Sequence, residues 1–404
     1  MKRILFVDDE AMVLQGLQRM LRGMRSEWDM VFAESGALAL DLMEKSAFDA
    51  VVSDMRMPGM NGAALLAEVM TRFPKTIRLI LSGHADQDLI LKCVGSTHQY
   101  LSKPCEPDTL KAAILRAFEL EKSLQNPRLR ELAAQMDSLP SVPSLYTKIV
   151  QKLRDPEIGL DEIGQIIGQD LAMTAKILKL VNSSFFGLRR RVSNPAEAVS
   201  FIGLETMKSL VLCIHAFSQF DHAKLGSFSI EQMWTHSQET GSLAKQIARL
   251  EHADTQTMDE SFVAGLLHDA GKLILAANFP DQYRHVLESQ RLGRISLQDA
   301  EADAFGADHA IVGGYLLGLW GLPVPVVEAI TFHHCPQKGP HKSFGPLTAV
   351  YAANLLIHTP NRTEETSFDA DHDLEYLRSL GLGDRLSVWN KATLPRQKNE
   401  MINV

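Results

Sequence analysis

The chain has 404 residues, which at roughly 150 residues per domain predicts two to three domains. Hydrophobic residues make up 45% and charged residues 22%, which excludes collagen-like, disordered and coiled-coil classes and leaves a globular protein with real cores. With 41 Lys plus Arg against 49 Asp plus Glu the net charge is −8, so a general affinity for nucleic-acid phosphates is disfavoured and no direct DNA binding is expected.

The apolar run 4–7 is too short for a secretion signal, whose core needs about 7 to 15 apolar residues. No stretch approaches the roughly 18 uninterrupted apolar residues of a membrane-spanning helix. The sequence therefore predicts a soluble, cytoplasmic chain with no membrane partner. Its four cysteines, Cys93, Cys105, Cys213 and Cys335, form no CxxC pair and read as structural thiols in a reducing compartment.

In chain order, β-rich apolar runs at 4–7, 30–33, 50–53, 77–82 and 99–101 alternate with helical patterns, the last of them at 105–124. That alternation predicts a doubly wound α/β domain with a five-stranded parallel sheet of the flavodoxin-like kind. Asn126 and Pro127 then break the pattern. Apolar residues at three- and four-residue spacing follow at 145–153, 163–181, 204–217, 232–250, 262–278, 309–320 and 347–358, predicting an all-helical second domain. The stretches 335–346 and 359–373 are rich in loop-forming or polar residues and read as connections.

Ligands of a doubly wound sheet bind where the strands end, so the residue after each run carries information. Those residues are Asp8 and Asp9 after the first run, Asp54 after the third, Ser82 at the end of the fourth and Lys103 after the fifth. Three carboxylates converging on one spot need a cation, and hard oxygens suit Mg²⁺. A carboxylate can also serve as a nucleophile toward a phosphoryl group whose charge is clamped by metal and ammonium, and Asp54 fits that role.

These residues resemble the receiver domain of bacterial two-component response regulators. The resemblance covers about the first 120 residues and implies a phosphoacceptor at Asp54, Mg²⁺ held by Asp8, Asp9, Asp54 and the backbone carbonyl of Arg56, and phosphoryl-sensing roles for Ser82, Tyr100 and Lys103. It also implies a sensor histidine kinase as the phosphoryl donor.

In the helical part, His236, His268 with Asp269, His309, and His333 with His334 have the look of metal ligands drawn from facing helices. The segment Leu266-Leu-His268-Asp269-Ala-Gly271-Lys272 resembles the signature of HD-type metal-dependent phosphohydrolases, whose later Asp would fall where this chain has Asn354. The stretches 137–143, 169–184, 202–204, 234–237, 265–272, 320–323 and 333–334 together resemble the HDOD domain, a relative of the HD fold commonly regarded as a signalling module without catalysis. The GYP tripeptide of cyclic di-GMP hydrolases is missing after His334, where the chain reads Cys335-Pro-Gln-Lys-Gly.

The resulting expectation is a receiver at 1–122, a linker at 123–134, an HDOD domain at 135–340 and C-terminal helices at 341–404 completing it. The output would be passed by protein–protein contact to a downstream signalling protein, a cyclic di-GMP enzyme being one family-level option, with a homodimer as a further option. The residues His236, His268, Asp269, His309, His333, His334 and Asn354 would form a degenerate HD site able to hold a transition metal. The alternative from another class is a receiver-gated HD-type phosphodiesterase of the cyclic di-GMP class.

Overall fold

Apolar runs that are buried on both faces form strands only where helices cover the sheet. Residues 4–7, 50–52 and 79–81 are at most 3% exposed, and each large apolar side chain so buried contributes about 1.5–3 kcal/mol. In the computed structural model the five runs become β1 (Lys2–Val7), β2 (Trp28–Ala33), β3 (Ala50–Asp54), β4 (Ile77–Ser82) and β5 (Gln99–Ser102). All pair in parallel in the order β2-β1-β3-β4-β5. The structure describes residues 1–82, 96–123, 129, 159–169, 171–182, 192–202, 228–293, 295–340, 343–358 and 371–393.

Helices α1 (Ala11–Met20), α2 (Gly36–Lys45), α3 (Gly62–Arg72) and α4 (Pro107–Ser123) belong to the same α/β unit. Ser35 and Asn61 cap α2 and α3 by accepting from the backbone N–H groups of Leu38 and Ala64, which fixes where each strand-to-helix turn ends. Gly62 opens α3 against the carbonyl of Asp54. A Cβ there would lie 2.1 Å from that oxygen, so the close approach requires glycine.

Beyond β5 the described residues contain helices and no strand. They are α5 (Leu160–Ile167), α6 (Leu171–Val181), α7 (Pro195–Ile202), α8 (Ile230–Leu250), α9 (Thr255–Leu267), α10 (Ala270–Asn278), α11 (Pro280–Arg291), α12 (Leu297–Phe305), α13 (His309–Leu319), α14 (Val324–Phe332), α15 (Pro346–His358), α16 (Asp371–Ser379) and α17 (Arg385–Thr393).

The chain divides into two compact units, one of Met1–Lys224, Asp281–Asp308 and Tyr315–Leu322, the other of Leu225–Pro280, His309–Gly314 and Pro323–Val404. Within the second, α8 packs on α9 and α15, and α14 packs on α9 and α15. The last helix is tied in by Glu251, whose Oε1 accepts from Arg385 Nε and from Trp389 Nε1, each at 2.8 Å. Trp389 is fully buried.

Four expectations are corrected. The single helix at 163–181 is two, because Gly168 ends α5 and the chain turns before Leu171. The single helix at 262–278 is also two, meeting at His268 and Asp269, where Asp269 leaves helical geometry with φ −95° and ψ 7°. The connection at 335–346 contains a short 3₁₀ turn, Pro336–Lys338, and the polar stretch ending at 373 runs into α16. Cys335 is exposed, so it packs no core, whereas Cys105 is half-buried. The expected helices at 145–153 and 204–217, with Cys93 and Cys213, lie outside the described residues.

Candidate functional site

Parallel register brings the ends of β1, β3, β4 and β5 to one edge: Val7 pairs with Ser53, Asp54 with Leu81, and Ser82 with Ser102. Asp8 is 1% and Asp54 6% exposed, two carboxylates taken out of water. Lys103, held by its backbone N–H to the Ser82 carbonyl at 2.8 Å, places its ammonium between them. Its Nζ lies 2.7 Å from Asp8 Oδ2 and 2.5 Å from Asp54 Oδ1. Burial raises the Asp54 carboxyl above its ordinary value despite Lys103, while for Lys103 the bonds to Asp54 and Asp8 outweigh burial and raise the ammonium.

The other expected residues of this end are placed as follows. Asp9 is exposed. Arg56 is exposed too, and its backbone N–H donates to Asp54 Oδ2 at 2.9 Å, orienting the carboxylate. Ser82 Oγ is buried and has no hydrogen-bond partner among the described residues, leaving a hydroxyl free to bond an incoming group. Tyr100 is 2% exposed and sits in register with Ile80. Two buried carboxylates, an adjacent exposed one and a hydroxyl make an oxygen-donor set that suits Mg²⁺, with Lys103 neutralising it otherwise.

The second cluster lies in the helical unit. His236 comes from α8, His268 and Asp269 from the junction of α9 and α10, His309 from the start of α13, His333 and His334 from the end of α14. Gly271 lets α10 meet α13, since a Cβ there would lie 1.9 Å from the His309 carbonyl. Ligand-type atoms of His236, His268 and Asp269 lie within 4.8 Å of one another, as do those of His309, His333 and His334. All the expected histidines and the aspartate are therefore brought together.

Asp269 is the hub. Its Oδ2 accepts from Lys272 Nζ at 2.7 Å. Its Oδ1 faces Nε2 of His309 at 3.3 Å, of His268 at 3.4 Å and of His333 at 3.9 Å. Nδ1 of His268 donates to the Gly265 carbonyl at 2.7 Å and Nδ1 of His333 to the Ile330 carbonyl at 2.8 Å, because a carbonyl can only accept. Burial drives the His268 imidazole down to about 4 and the His334 imidazole down to about 2, and holds His236 and His333 below their ordinary value as well.

Neutral rings with Nδ1 protonated turn the Nε2 lone pairs of His268 and His333 toward an oxygen that is itself an anion. For Asp269, burial acts to raise the carboxyl, but His268, Lys272 and His309 hold it well below the usual carboxylate range. Nε2 of His268, Nε2 of His333, Oδ1 of Asp269 and Oδ1 of Asn354 are all buried with no hydrogen-bond partner among the described residues. Lone pairs facing lone pairs repel unless a cation lies among them. Ligand bonds of about 2.0–2.1 Å at tetrahedral angles put neighbouring donors about 3.4 Å apart, the spacing found around Asp269 Oδ1. The residues fit a transition metal.

Two residues of this cluster are missing from the sequence-based set. Lys272 was visible in the His268-Asp-Ala-Gly-Lys272 run, whereas His358 had no motif around it. The His358 ring stands edge-on to His236, centroids 4.9 Å apart.

Family comparison matches a response regulator receiver domain at residues 4–115 and an HDOD domain at 139–336. An uncharacterized protein of Treponema pallidum (strain Nichols) is 28% identical over 274 residues, 67% of this chain and 52% of that protein. The DNA-binding transcriptional regulator NtrC of Escherichia coli (strain K12) is 32% identical over 123 residues, 30% of this chain and 26% of that protein. The chain thus spans about half or less of the length of these curated relatives. Among solved structures, the MmoQ response regulator from Methylococcus capsulatus str. Bath is 23% identical, covering 63% of this chain and 98% of that one with a TM-score of 0.49. No described helix is long and apolar enough to cross a membrane.

Proposed function

Because the chain is a response regulator that joins an N-terminal receiver domain to an HDOD domain, we propose that a sensor histidine kinase phosphorylates Asp54 and that the helical domain passes the signal on by binding a downstream protein. The observation that carries this reading is the bridge of Lys103 across Asp8 and Asp54 at the strand ends. Asp8, Asp9, Asp54 and the Arg56 carbonyl would hold Mg²⁺, which would supply positive charge to the phosphoryl oxygens, while Lys103 would pair with one of those oxygens and the Ser82 hydroxyl would bond another. The phosphoryl group leaves the kinase histidine as a carboxylate oxygen of Asp54 bonds to phosphorus, so that a group carrying about −1.5 to −2 replaces the −1 of the carboxylate. Tyr100 and Ser82 then relay that change.

In the helical domain the cluster around Asp269 would hold a transition metal ion without turnover. Its single carboxylate is already paired with Lys272, and Asn354 supplies no negative charge where hydrolases of this kind have an acid, so the site favours holding an ion over generating hydroxide. An incubation with a small phosphodonor and Mg²⁺ tests the main reading: wild type should gain a base-labile acyl phosphate that Asp54→Asn lacks. Equal modification of the variant would overturn it. For the output domain, turnover of cyclic di-GMP by metal-loaded wild type, abolished in His268→Ala, would make the enzyme reading the right one.

A further inference from the structure

The stretch 320–323, Trp-Gly-Leu-Pro, belongs to neither cluster of charged groups. It closes α13. Gly321 takes the left-handed conformation with φ 77°, which lets the Leu322 N–H turn back to the Leu317 carbonyl at 3.2 Å. The N–H groups of Trp320 and Gly321 go to the carbonyls of Leu316 and Gly318, each at 3.0 Å, and Pro323 has none to give. The donors of the turn are thereby spent inside it. The carbonyl of Leu322, a residue 0% exposed, needs a donor from elsewhere.

That donor comes from the α/β domain. Arg116, half-buried on α4, gives its Nη2 to the Leu322 carbonyl at 2.6 Å, a charge-assisted bond across 206 positions of sequence. Strand β5 reaches the same turn, since a Cβ on Gly321 would lie 3.6 Å from Cγ and Cδ of Gln99, an ordinary packing distance. Both sides of this contact belong to one compact unit, in which Tyr315–Leu322 groups with Met1–Lys224.

Lys103 stands in the chain between the strand that carries Gln99 and the helix that carries Arg116. Its ammonium bridges Asp8 and Asp54. A phosphoryl group on Asp54 would draw that ammonium away from the bridge, and the pull would reach the end of β5. Among the described strands β5 is an edge and pairs only with β4, so it is held from one side and can shift.

We propose that the turn 320–322 is where the unphosphorylated receiver holds the end of α13, and that phosphorylation of Asp54 releases it by moving Lys103 together with β5 and α4. This rests on the reading that Asp54 takes a phosphoryl group.

Hydrogen exchange of the full-length protein tests it, read at peptides covering 316–322 with and without a small phosphodonor and Mg²⁺, the phosphoryl content being measured by mass in the same samples. In wild type the phosphoryl group should speed exchange there about 10- to 100-fold, the range expected for losing a hydrogen bond to a charged group. Arg116→Ala, a change that a helix tolerates, should exchange that fast at rest, gain nothing more from the phosphodonor, and still take the phosphoryl group as wild type does. Arg116→Lys, which can still donate to the carbonyl, should keep the slow exchange. Slow exchange at 316–322 in resting Arg116→Ala would overturn the contact. Wild type that takes the phosphoryl group and keeps its resting exchange would overturn the release while phosphorylation stands. Wild type that takes no phosphoryl group would sink the phosphorylation reading and the release with it.

Discussion

Lys272 donates to one carboxylate oxygen of Asp269 at 2.7 Å, and the other faces Nε2 of His268 and His333, whose protons sit on Nδ1. The ion pair keeps the aspartate charged inside the helical unit, and the charge then has to be met from the open side. This relationship is a reason to expect that metal stabilises the fold. Bound ligand adds RT ln(1 + [L]/Kd), about 2.7 kcal/mol at a hundredfold excess over Kd. Calorimetry of wild type with Zn²⁺ should show a raised melting temperature, and the rise should vanish in His268→Ala. An equal rise in both would remove the case for binding at this cluster.

Lys103→Met should destabilise the receiver domain, because Asp8 and Asp54 then face each other without an ammonium. Removing one partner of a fully buried pair costs about 3–5 kcal/mol, and with 30% of the Lys103 side chain exposed a loss of about 2 kcal/mol is expected. Millimolar Mg²⁺ should restore most of it by replacing the lost charge. Urea unfolding with and without Mg²⁺ measures both, and a variant as stable as wild type in chelator would contradict the argument.

Gly271→Ala should damage fold and site together. The new methyl would meet the His309 carbonyl at 1.9 Å, so α10 and α13 must separate, at a cost of about 1–3 kcal/mol. Co²⁺ affinity should fall along with the melting temperature, since His309 and Asp269 lie on opposite sides of that contact. Lowered stability with unchanged affinity would mean that the helices give way elsewhere.

Cys105 should be a slow thiol. Burial, with the charge of Glu106, pushes it up to about 11, so at pH 8 only about one molecule in a thousand carries the reactive thiolate. Its alkylation should lag that of the exposed Cys335 and quicken as the pH climbs toward 11, as peptide mass spectrometry after timed labelling would show. Equal rates at pH 8 would refute the burial argument.

The receiver end was legible because strand ends are marked by composition: an apolar run stops and a carboxylate, hydroxyl or lysine follows. The break between α9 and α10 was not, since apolar residues keep helical spacing straight through His268 and Asp269, and only packing bends the chain there. The identity of the site histidines could be read from the His268-Asp269 run and its companions. Which nitrogen each ring turns inward could not, because that is decided by carbonyls such as those of Gly265 and Ile330.

Glu251 ties the end of α8 to Arg385 and Trp389, residues well past the stretch that matches the HDOD family at 139–336. Trp389 and the bond it makes therefore act as a distant stay for the helix that carries His236. A fragment cut at residue 336 would lose α15, α16 and α17 together, expose the face of α8 that α15 and α17 cover, and leave His236 on a helix unsupported along that side. Anyone isolating the output half should carry the chain through residue 393, and loss-of-function truncations near the C-terminus should be read first as failures of this anchor.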